Sequence, residues 1–410
     1  MKDVFILQNH PASFKLDIAK LVRAESYALH LVTNPVGLAQ LERRDQQALF
    51  ASISVADELT LERIVACINP VRAQVGRPID VVTNSEHAVS VCGKVRVHYG
   101  LAAEDNERFV DKLVMKMRLA AKGVRIPRHV AFDKRRATPA DQAAIMAALP
   151  FPMFAKPINQ AGSIGTAKLH TPAELASWVG AALASPYEFE LDEFIVGTLY
   201  HCDSIIKDGA ILYTQVGVYS RPSFDFVQGY AQASLTLPPV SEDARALRDF
   251  AARALTALGM PHAGVTHMEV FKASDGGFVF LEVAYRSPGT LIPAMYQRHL
   301  GLDIAALNIR LQIDPSFQPR LVRGPYVASI AYPNRPGTIV AVHELPATRS
   351  ARAYEQRAKL GDNLAKAEVV RDFAASVLLW GFDYPALRAD VDELSEFHPH
   401  MVAADPSSAS

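Results

Sequence analysis

Cysteine is scarce in this sequence of 410 residues, where Cys67, Cys92 and Cys202 are the only thiols. Three widely separated cysteines form neither a disulfide framework nor a CxxC metal site. No apolar stretch approaches the ~20 uninterrupted residues that a bilayer-spanning helix needs. The first residues also lack the apolar region and the cleavage site of a signal peptide. These absences predict a protein of the reducing cytoplasm with no membrane partner.

An excess of charge of one sign is missing as well. The chain contains 42 Lys and Arg residues against 43 Asp and Glu residues, and 50% of its residues are hydrophobic. This balance excludes a disordered chain, and no basic patch indicates a nucleic-acid partner. The length suffices for two or three domains with a large buried core. Composition therefore predicts a globular protein without selecting among the functions of such proteins.

Short apolar runs alternate with helix-like stretches in the first hundred residues. The runs at 4–7, 29–33, 49–54 and 79–83 are typical of strands. Strands alternating with helices predict a small α/β layer with a mostly parallel sheet. No glycine-rich fingerprint follows the first strand, where the sequence is Gln8-Asn9-His10-Pro11, so we expect no dinucleotide site there.

Capping signals mark helices further along the chain. A helix is predicted over residues 106–122, and further helices are predicted to begin after Thr138 and Thr171. Beyond residue 310, a Pro-Asn-Arg-Pro-Gly turn separates two predicted strands at 326–332 and 338–342.

The most informative stretch runs from Gly264 to Arg286. Asp275-Gly276 lies there between two β-rich runs, which is a strong signal for a hairpin with a two-residue loop. Residue 274 would then pair with residue 277, and the same register places Glu269 directly opposite Glu282. The strand period of two puts His267 and Arg286 on the same face as the two glutamates.

Two carboxylates that face each other across a hairpin repel, so something must offset the repulsion. A divalent metal, a shared proton or solvent exposure of both groups would each suffice. Hard carboxylate oxygens without thiol ligands favour Mg²⁺ or Mn²⁺. An ordinary edge hairpin with two solvated glutamates explains the hairpin alone equally well.

Five motifs that follow one another along the chain break this tie. They are Asp111-Lys112, Phe154-Ala155-Lys156-Pro157, Asp192-Glu193-Phe194-Ile195-Val196-Gly197, His267-Met268-Glu269, and Glu282-Val283-Ala284-Tyr285-Arg286-Ser287-Pro288-Gly289. In this order and spacing they resemble the ATP-grasp superfamily, and within it the carboxylate–amine ligases such as the L-amino-acid ligases. The resemblance covers about residues 106–310.

The resemblance implies an architecture that combines α/β and α+β parts. Residues 1–105 would form a Rossmann-like pre-ATP-grasp domain, and residues 106–310 a two-subdomain ATP-grasp fold with a small lid at about 125–195. A C-terminal α+β segment at 311–403 would complete the large lobe. Residues 404–410 are expected to be a disordered tail.

The resemblance also assigns roles in nucleotide binding. Lys112 and Lys156 would contact the phosphates of ATP. Taken alone, Lys112 is more typical of a solvated helix position, and its spacing from the other motifs is what favours the phosphate role. The small-residue loop that contains Ser163 would close over the phosphates. The linker residues that would bind adenine through backbone groups are Glu193, Phe194 and Ile195.

A second set of residues would support or carry the chemistry. His201 and Asp203 would assist near the ribose or the phosphates, and a hydrogen-bonded structural histidine is an equally good interpretation of His201. Glu269 and Glu282 would hold Mg²⁺ or Mn²⁺, and Arg286 would stabilise the acyl phosphate and the tetrahedral state formed from it. Ala284 stands where many relatives have an Asn metal ligand, so the resemblance leaves open whether one metal ion binds or two.

The resemblance implies an ADP-forming ligase that makes C–N bonds. A carboxylate would attack the γ-phosphate of ATP, and an amine would then displace phosphate to form an amide or peptide bond between amino-acid-like substrates. Two alternatives stay open: an ATP-grasp carboxylase or purine-pathway-type ligase, and an ATP-binding module without catalysis. Small carboxylate and amine molecules would be the partners, and apolar N-terminal strands leave room for a homodimer.

Overall fold

The computed structural model describes residues 1–8, 27–42, 46–101 and 105–403. The Asn9–Pro11 segment and the expected tail at 404–410 lie outside these ranges. Within them, the strands are β1 Lys2–Gln8, β2 Tyr27–Thr33, β3 Ser52–Val55, β4 Ile79–Thr83, β5 His129–Phe132, β6 Met153–Pro157, β7 Ala167–Leu169, β8 Phe189–Glu193, β9 Gly197–Lys207, β10 Ala210–Tyr219, β11 Gln232–Thr236, β12 Gly264–Ala273, β13 Phe278–Ala284, β14 Tyr326–Pro333, β15 Gly337–Val342, β16 Ala351–Gln356, β17 Asn363–Leu364, β18 Phe373–Gly381 and β19 His400–Ala403.

Helices alternate with these strands or cover the faces of their sheets. They are α1 Pro35–Glu42, α2 Leu61–Val75, α3 Val89–His98, α4 Lys112–Ala120, α5 Pro139–Ala148, α6 Pro172–Ala184, α7 Ser223–Val227, α8 Glu242–Leu258, α9 Ile292–His299, α10 Ile304–Ile313 and α11 Tyr384–Ser395. None of the helices in the described ranges is long and apolar enough to cross a membrane.

The N-terminal sheet is the parallel layer that the sequence predicts. Its strands lie in the order β3-β2-β1-β4, and all three neighbouring pairs are parallel. Helix α10 packs on one face, where Ile309 and Ala305 contact the core formed around Val4 and Leu31. Helix α10 thus spans the predicted boundary at residue 310 and packs on the N-terminal layer. The domain limits remain predictions.

The helix predicted over residues 106–122 is interrupted. A short 3₁₀ turn covers Asn106–Phe109, and the α-helix begins only at Lys112. The side chain of Asp111 accepts hydrogen bonds from the N–H groups of Leu113 and Val114, so this residue caps α4. Apolar residues continue through the interruption, which is why their spacing alone predicted one helix. The break places Lys112 in the first turn of α4.

The predicted lid region contains an antiparallel sheet with the strand order β5-β8-β6-β7. Helices α5 and α6 cover it, and Leu175 and Trp178 of α6 pack against Leu191 of β8. Both helices begin as predicted: Thr138 forms a capping box with Asp141, and Thr171 accepts a hydrogen bond from the N–H of Glu174.

The largest sheet is antiparallel, in the order β13-β12-β9-β10-β11-β14-β18-β16. Alternation along β9 sends Tyr200 and Cys202 into a core with Leu247 of α8, whereas His201 and Asp203 point to the opposite face. The strands predicted at 326–332 and 338–342 both form. They belong to different sheets, because β15 pairs with β17 and β19 rather than with β14.

The hairpin formed by β12 and β13 has a longer loop than predicted. The N–H of Ala273 donates to the carbonyl of Gly277 at 2.9 Å, so residues 274–276 form the loop and the two-residue prediction is wrong. The register shifts between Glu269 and Val270, which leaves one extra residue on β13. This bulge compensates for the longer loop, so the predicted pairing of Glu269 with Glu282 is confirmed.

Candidate active site

A cavity of about 440 Å³ lies between the lid sheet and the largest sheet. Nine residues that the resemblance assigned to the site line it: Lys112, Lys156, Ser163, Glu193, Phe194, Ile195, Glu269, Glu282 and Arg286. The other two, His201 and Asp203, are fully buried and do not line it. Motifs that are distant in sequence thus meet around one space.

Lys112 faces this cavity from the first turn of α4. Its ammonium donates to the carbonyl of Gln160 at 2.7 Å and lies 3.2 Å from Glu282 Oε2. The residue is only 6% exposed. The alternative interpretation of Lys112 as a solvated helix position is therefore wrong.

Lys156 enters the cavity from the lid strand β6. Its Nζ lies 3.0 Å from Asp192 Oδ2 and 3.5 Å from Glu190 Oε1, and all three residues are buried. Burial alone would lower the pKa of Lys156, but the negative charges of Asp192 and Glu190 raise it above its ordinary value. Lys156 thus carries a permanent positive charge at the wall of the cavity.

The loop after β6 has an unusual backbone. Gly162, Ser163 and Gly165 all have φ values between 65° and 68°. This left-handed conformation is ordinary for glycine, but it costs Ser163 about 1 kcal/mol or more. A strained turn of small residues can turn backbone N–H groups toward an anion.

The linker after β8 has fewer free donors than the resemblance implies. The N–H of Glu193 donates to Arg128 O at 2.9 Å, and the N–H of Phe194 donates to Pro152 O at 3.2 Å. Within the described part of the chain, the N–H of Ile195 has no hydrogen-bond partner. Of the three predicted residues, Ile195 therefore has the available donor.

Further aromatic rings lie near the predicted linker residue Phe194. Phe154 and Phe224 meet edge to face with centroids 5.4 Å apart, and both line the cavity. The ammonium of Lys168 lies 3.8 Å from the centre of the Phe194 ring. The rings of Phe154, Phe194 and Phe224 form an apolar wall of the kind that accepts a planar ring. They are adjacent only after the lid and the large sheet come together.

Each carboxylate of the hairpin has a cationic neighbour. Glu282 lies beside Lys112, and Glu269 Oε1 lies 3.8 Å from His267 Nε2. Burial alone would lower the pKa of His267, but its contacts with Asp203, and then with Glu269, raise it to about 9. The glutamate side chains are 12% and 31% exposed, so the interpretation of two solvated glutamates is wrong.

His201 and Asp203 belong to a buried network behind the cavity wall. Asp203 accepts hydrogen bonds from His201 Nδ1 at 2.8 Å, His267 Nδ1 at 2.6 Å and Tyr296 Oη at 2.6 Å. Burial alone would raise the pKa of Asp203, but the two histidines hold it well below its ordinary value. His201, Asp203 and His267 are close enough to bind a metal, but both histidines use Nδ1 in hydrogen bonds to Asp203, and His201 Nε2 is hydrogen-bonded to Ser234. The structure therefore favours the interpretation of His201 as a hydrogen-bonded structural histidine.

Arg286 is held by a residue of the N-terminal layer. Its Nε and Nη2 donate to Glu86 Oε2 at 3.1 and 2.7 Å. Burial alone would raise the pKa of Glu86, but Arg286 holds it below its ordinary value. Glu86 follows the carboxyl end of β4, where open α/β sheets commonly bind ligands, and this position is the signal that could have identified it.

His267 predicts a pH dependence of stability in the metal-free protein. Its folded pKa of about 9 lies above the ordinary 6.5, so protonation stabilises the fold fully below pH 6.5. That contribution, up to about 3 kcal/mol, is lost as the pH rises through 9. We expect the urea midpoint to fall between pH 6.5 and 9.5.

Urea unfolding of His267→Gln tests the assignment. The variant should lose most of this fall, whereas His262→Gln, which alters a histidine with a 75% exposed side chain, should keep it. An unchanged pH dependence in His267→Gln would contradict the role given to this residue.

Comparison with known proteins adds independent information on this arrangement. Residues 119–307 match the family model described as the D-ala D-ala ligase C-terminus. The chain is similar to an L-arginine-specific L-amino acid ligase of Bacillus subtilis, with 24% identity over 309 residues that cover 70% of each protein. It is also similar to D-alanine–D-alanine ligase A of Chromobacterium violaceum, with 24% identity over 46% of this chain and 52% of that relative. The match thus spans about half the length of the latter enzyme.

A solved structure resembles the whole chain. The L-amino acid ligase from Bacillus licheniformis superimposes with a TM-score of 0.71, covering 99% of both chains at 15% sequence identity. This similarity extends over the N-terminal layer and the C-terminal segment as well as the central region.

Proposed function

We propose that this chain is an ATP-grasp enzyme that joins amino acids or related molecules in an ATP-dependent ligation, since residues 119–307 match the D-ala D-ala ligase C-terminus and the fold is that of an L-amino acid ligase. The reaction forms a C–N bond and releases ADP and phosphate. The observation that carries the proposal is the meeting of Lys112, Lys156, Glu269, Glu282 and Arg286 around one cavity. Two cations, two carboxylates and a guanidinium suit phosphoryl transfer followed by acyl transfer.

The nucleotide is proposed to bind between the lid and the largest sheet. Lys112 and Lys156 supply positive charge to its phosphates, and the strained loop around Ser163 supplies backbone N–H groups. The free N–H of Ile195 is the donor for adenine, whose ring packs beside Phe194.

The carboxylate pair fits a hard divalent cation. Glu269 and Glu282 present oxygen donors from paired positions, and no thiol lies among the residues that line the cavity. Mg²⁺ or Mn²⁺ held there would neutralise phosphate charge during transfer. Ala284 offers no ligand atom, so the two glutamates alone provide the protein ligands in this proposal.

The proposed ligation has two steps, and in both the protein positions the reacting groups. A substrate carboxylate oxygen attacks the γ-phosphorus and ADP leaves, which produces an acyl phosphate. An amine nitrogen then attacks the acyl carbon and phosphate leaves with that carboxylate oxygen. Arg286 stabilises the negative charge that develops on the reacting oxygens, and Glu86 fixes the orientation of its guanidinium.

Amino acids are the proposed substrate class because the relative that matches over most of the chain is named as an amino acid ligase. A cytoplasmic location and a homodimer remain predictions from the sequence. Two alternative functions are an ATP-grasp enzyme with a carboxylase or purine-type acceptor, and a protein that binds nucleotide without ligation. The measurement of phosphate and ADP release described next distinguishes them from amino-acid ligation.

Release of phosphate and ADP should be measured with Mg²⁺, ATP and an array of single amino acids and amino-acid pairs. We expect at least one pair to raise ADP release well above the rate with ATP alone and to yield a stoichiometric amide product. Bicarbonate and a ribonucleotide amine serve as comparison substrates. Stimulation by these alone, or no stimulation by any carboxylate and amine together, would reject the proposal.

A further inference from the structure

We propose that Lys116, which does not line the cavity, positions Lys156 for nucleotide binding by neutralising the carboxylates of Glu190 and Asp192. The inference rests on the proposed function, because it concerns how the nucleotide site is kept ready. It adds a positioning residue to a site whose lysines the sequence motifs already indicated.

Regular secondary structure brings these four side chains together. Lys116 lies one helical turn after Lys112 on α4, so both project from the same side of the helix. Glu190 and Asp192 are two residues apart on β8 and share a face of the lid sheet. Lys156 on β6 is the register partner of Glu190.

The four groups form a buried cluster of two lysines and two carboxylates. Lys116 Nζ lies 3.0 Å from Glu190 Oε1 and donates a hydrogen bond to Asp192 Oδ1. Lys116 and Glu190 are both 0% exposed. Burial and the neighbouring Lys156 lower the pKa of Lys116, whereas Asp192 and Glu190 favour its charged form. With both lysines protonated, two ammonium groups face two carboxylates and the charges cancel. Buried charges persist in proteins when they are paired in this way.

Lys156 is held in the cluster by ion pairs and not by well-aligned hydrogen bonds. Its Nζ is within ion-pair distance of both carboxylates, yet it makes no hydrogen bond with acceptable geometry to any described group. Lys116 supplies the hydrogen bond to Asp192, and of the two lysines only Lys156 lines the cavity. A rotation of the buried Lys156 ammonium toward a phosphate in the cavity would leave Glu190 and Asp192 paired with Lys116.

Removing Lys116 would leave the cluster with a net negative charge. Lys156 alone would face two carboxylates, and the net negative charge behind it would repel the phosphates. We expect Lys116→Met to raise the Kd for Mg·ADP at least about tenfold. The KM for ATP should rise similarly, while kcat at saturating ATP stays within about threefold, because the effect concerns nucleotide affinity.

A double variant separates charge balance from packing. Lys116→Met combined with Glu190→Gln removes one charge of each sign, so the Kd for Mg·ADP should return to within about threefold of wild type. Glu190→Gln alone should bind at least as tightly as wild type. If Lys116 only packed the lid, the double variant would bind no better than Lys116→Met and its affinity would follow its melting temperature.

Calorimetric titration of Mg·ADP into the wild type and the three variants is the experiment, with thermal unfolding in parallel. Wild-type affinity in Lys116→Met, or failure of the double variant to recover, would overturn the inference while leaving the proposed function intact. Absence of binding to the wild type would overturn both. If Lys116→Met does not fold, Glu190→Gln decides: unchanged or tighter binding supports the inference, and a tenfold loss contradicts it.

Discussion

Glu282→Gln is expected to lower kcat for amino-acid-dependent ADP release by at least about 100-fold, because it removes charge where phosphoryl transfer occurs. Glu282 lines the cavity, opposes Glu269 across the hairpin and lies 3.2 Å from the ammonium of Lys112. Glutamine has nearly the same size, but its neutral amide is a weaker ligand for a hard cation. The effect should therefore arise from lost charge and not from lost packing.

Steady-state kinetics and Mg²⁺ titration of activity are the measurements for this variant. Raising Mg²⁺ should restore part of the activity if affinity for the cation is what the substitution weakens. Glu188→Gln is the matched control, since the Glu188 side chain is 61% exposed, lies 3.7 Å from Lys134 Nζ and does not line the cavity. It should retain wild-type turnover. Turnover of Glu282→Gln within a few fold of wild type would contradict the role of the carboxylate pair.

Arg286→Lys is expected to lower kcat by about 100-fold or more, with Kd for Mg·ADP changed by less than about threefold. The guanidinium of Arg286 uses two nitrogens on Glu86 and a third on the carbonyl of Ser287. A lysine ammonium keeps the charge but lacks the planar fork. It cannot hold Glu86 and also present a fixed donor to a developing oxyanion.

Two further variants isolate this effect. Glu86→Gln keeps Arg286 charged but weakens its restraint, so we expect a smaller loss of kcat of about tenfold. Arg357→Lys alters an arginine that pairs with Glu355 outside the cavity, and it should leave kcat unchanged. Single-turnover and steady-state rates give the comparison. A loss in Arg286→Lys confined to nucleotide affinity would contradict a role in the chemical steps.

Local patterns in the sequence predicted much of the fold and most of the cavity lining. Strand alternation and a glycine turn between two β-rich runs indicated the pairing of Glu269 with Glu282, which the structure confirms. The loop length was wrong because Gly276, with φ of 82°, permits a three-residue turn as well as a two-residue one. The bulge that restores the register depends on contacts with the neighbouring strand and leaves no local signal.

Residues that act through long-range contacts escaped prediction for a related reason. Glu86 and Arg286 are 200 residues apart and meet only because the N-terminal layer lies against the largest sheet. Lys116 has the spacing of an ordinary helix residue, and its role depends on two carboxylates from β8. The contact of Phe224 with Phe154 depends on α7, a five-residue helix with no periodic signal. Tertiary packing, which a single sequence does not display, decides each of these contacts.

Transfer of labelled oxygen tests the central claim most directly. The substrate whose carboxylate is activated would be labelled with ¹⁸O in that group and turned over with Mg²⁺, ATP and the amine that gives the highest ADP release. Mass spectrometry of the phosphate is expected to show one ¹⁸O atom per molecule formed, because the carboxylate oxygen leaves with the phosphoryl group. Amide formation accompanied by unlabelled phosphate would contradict activation through an acyl phosphate.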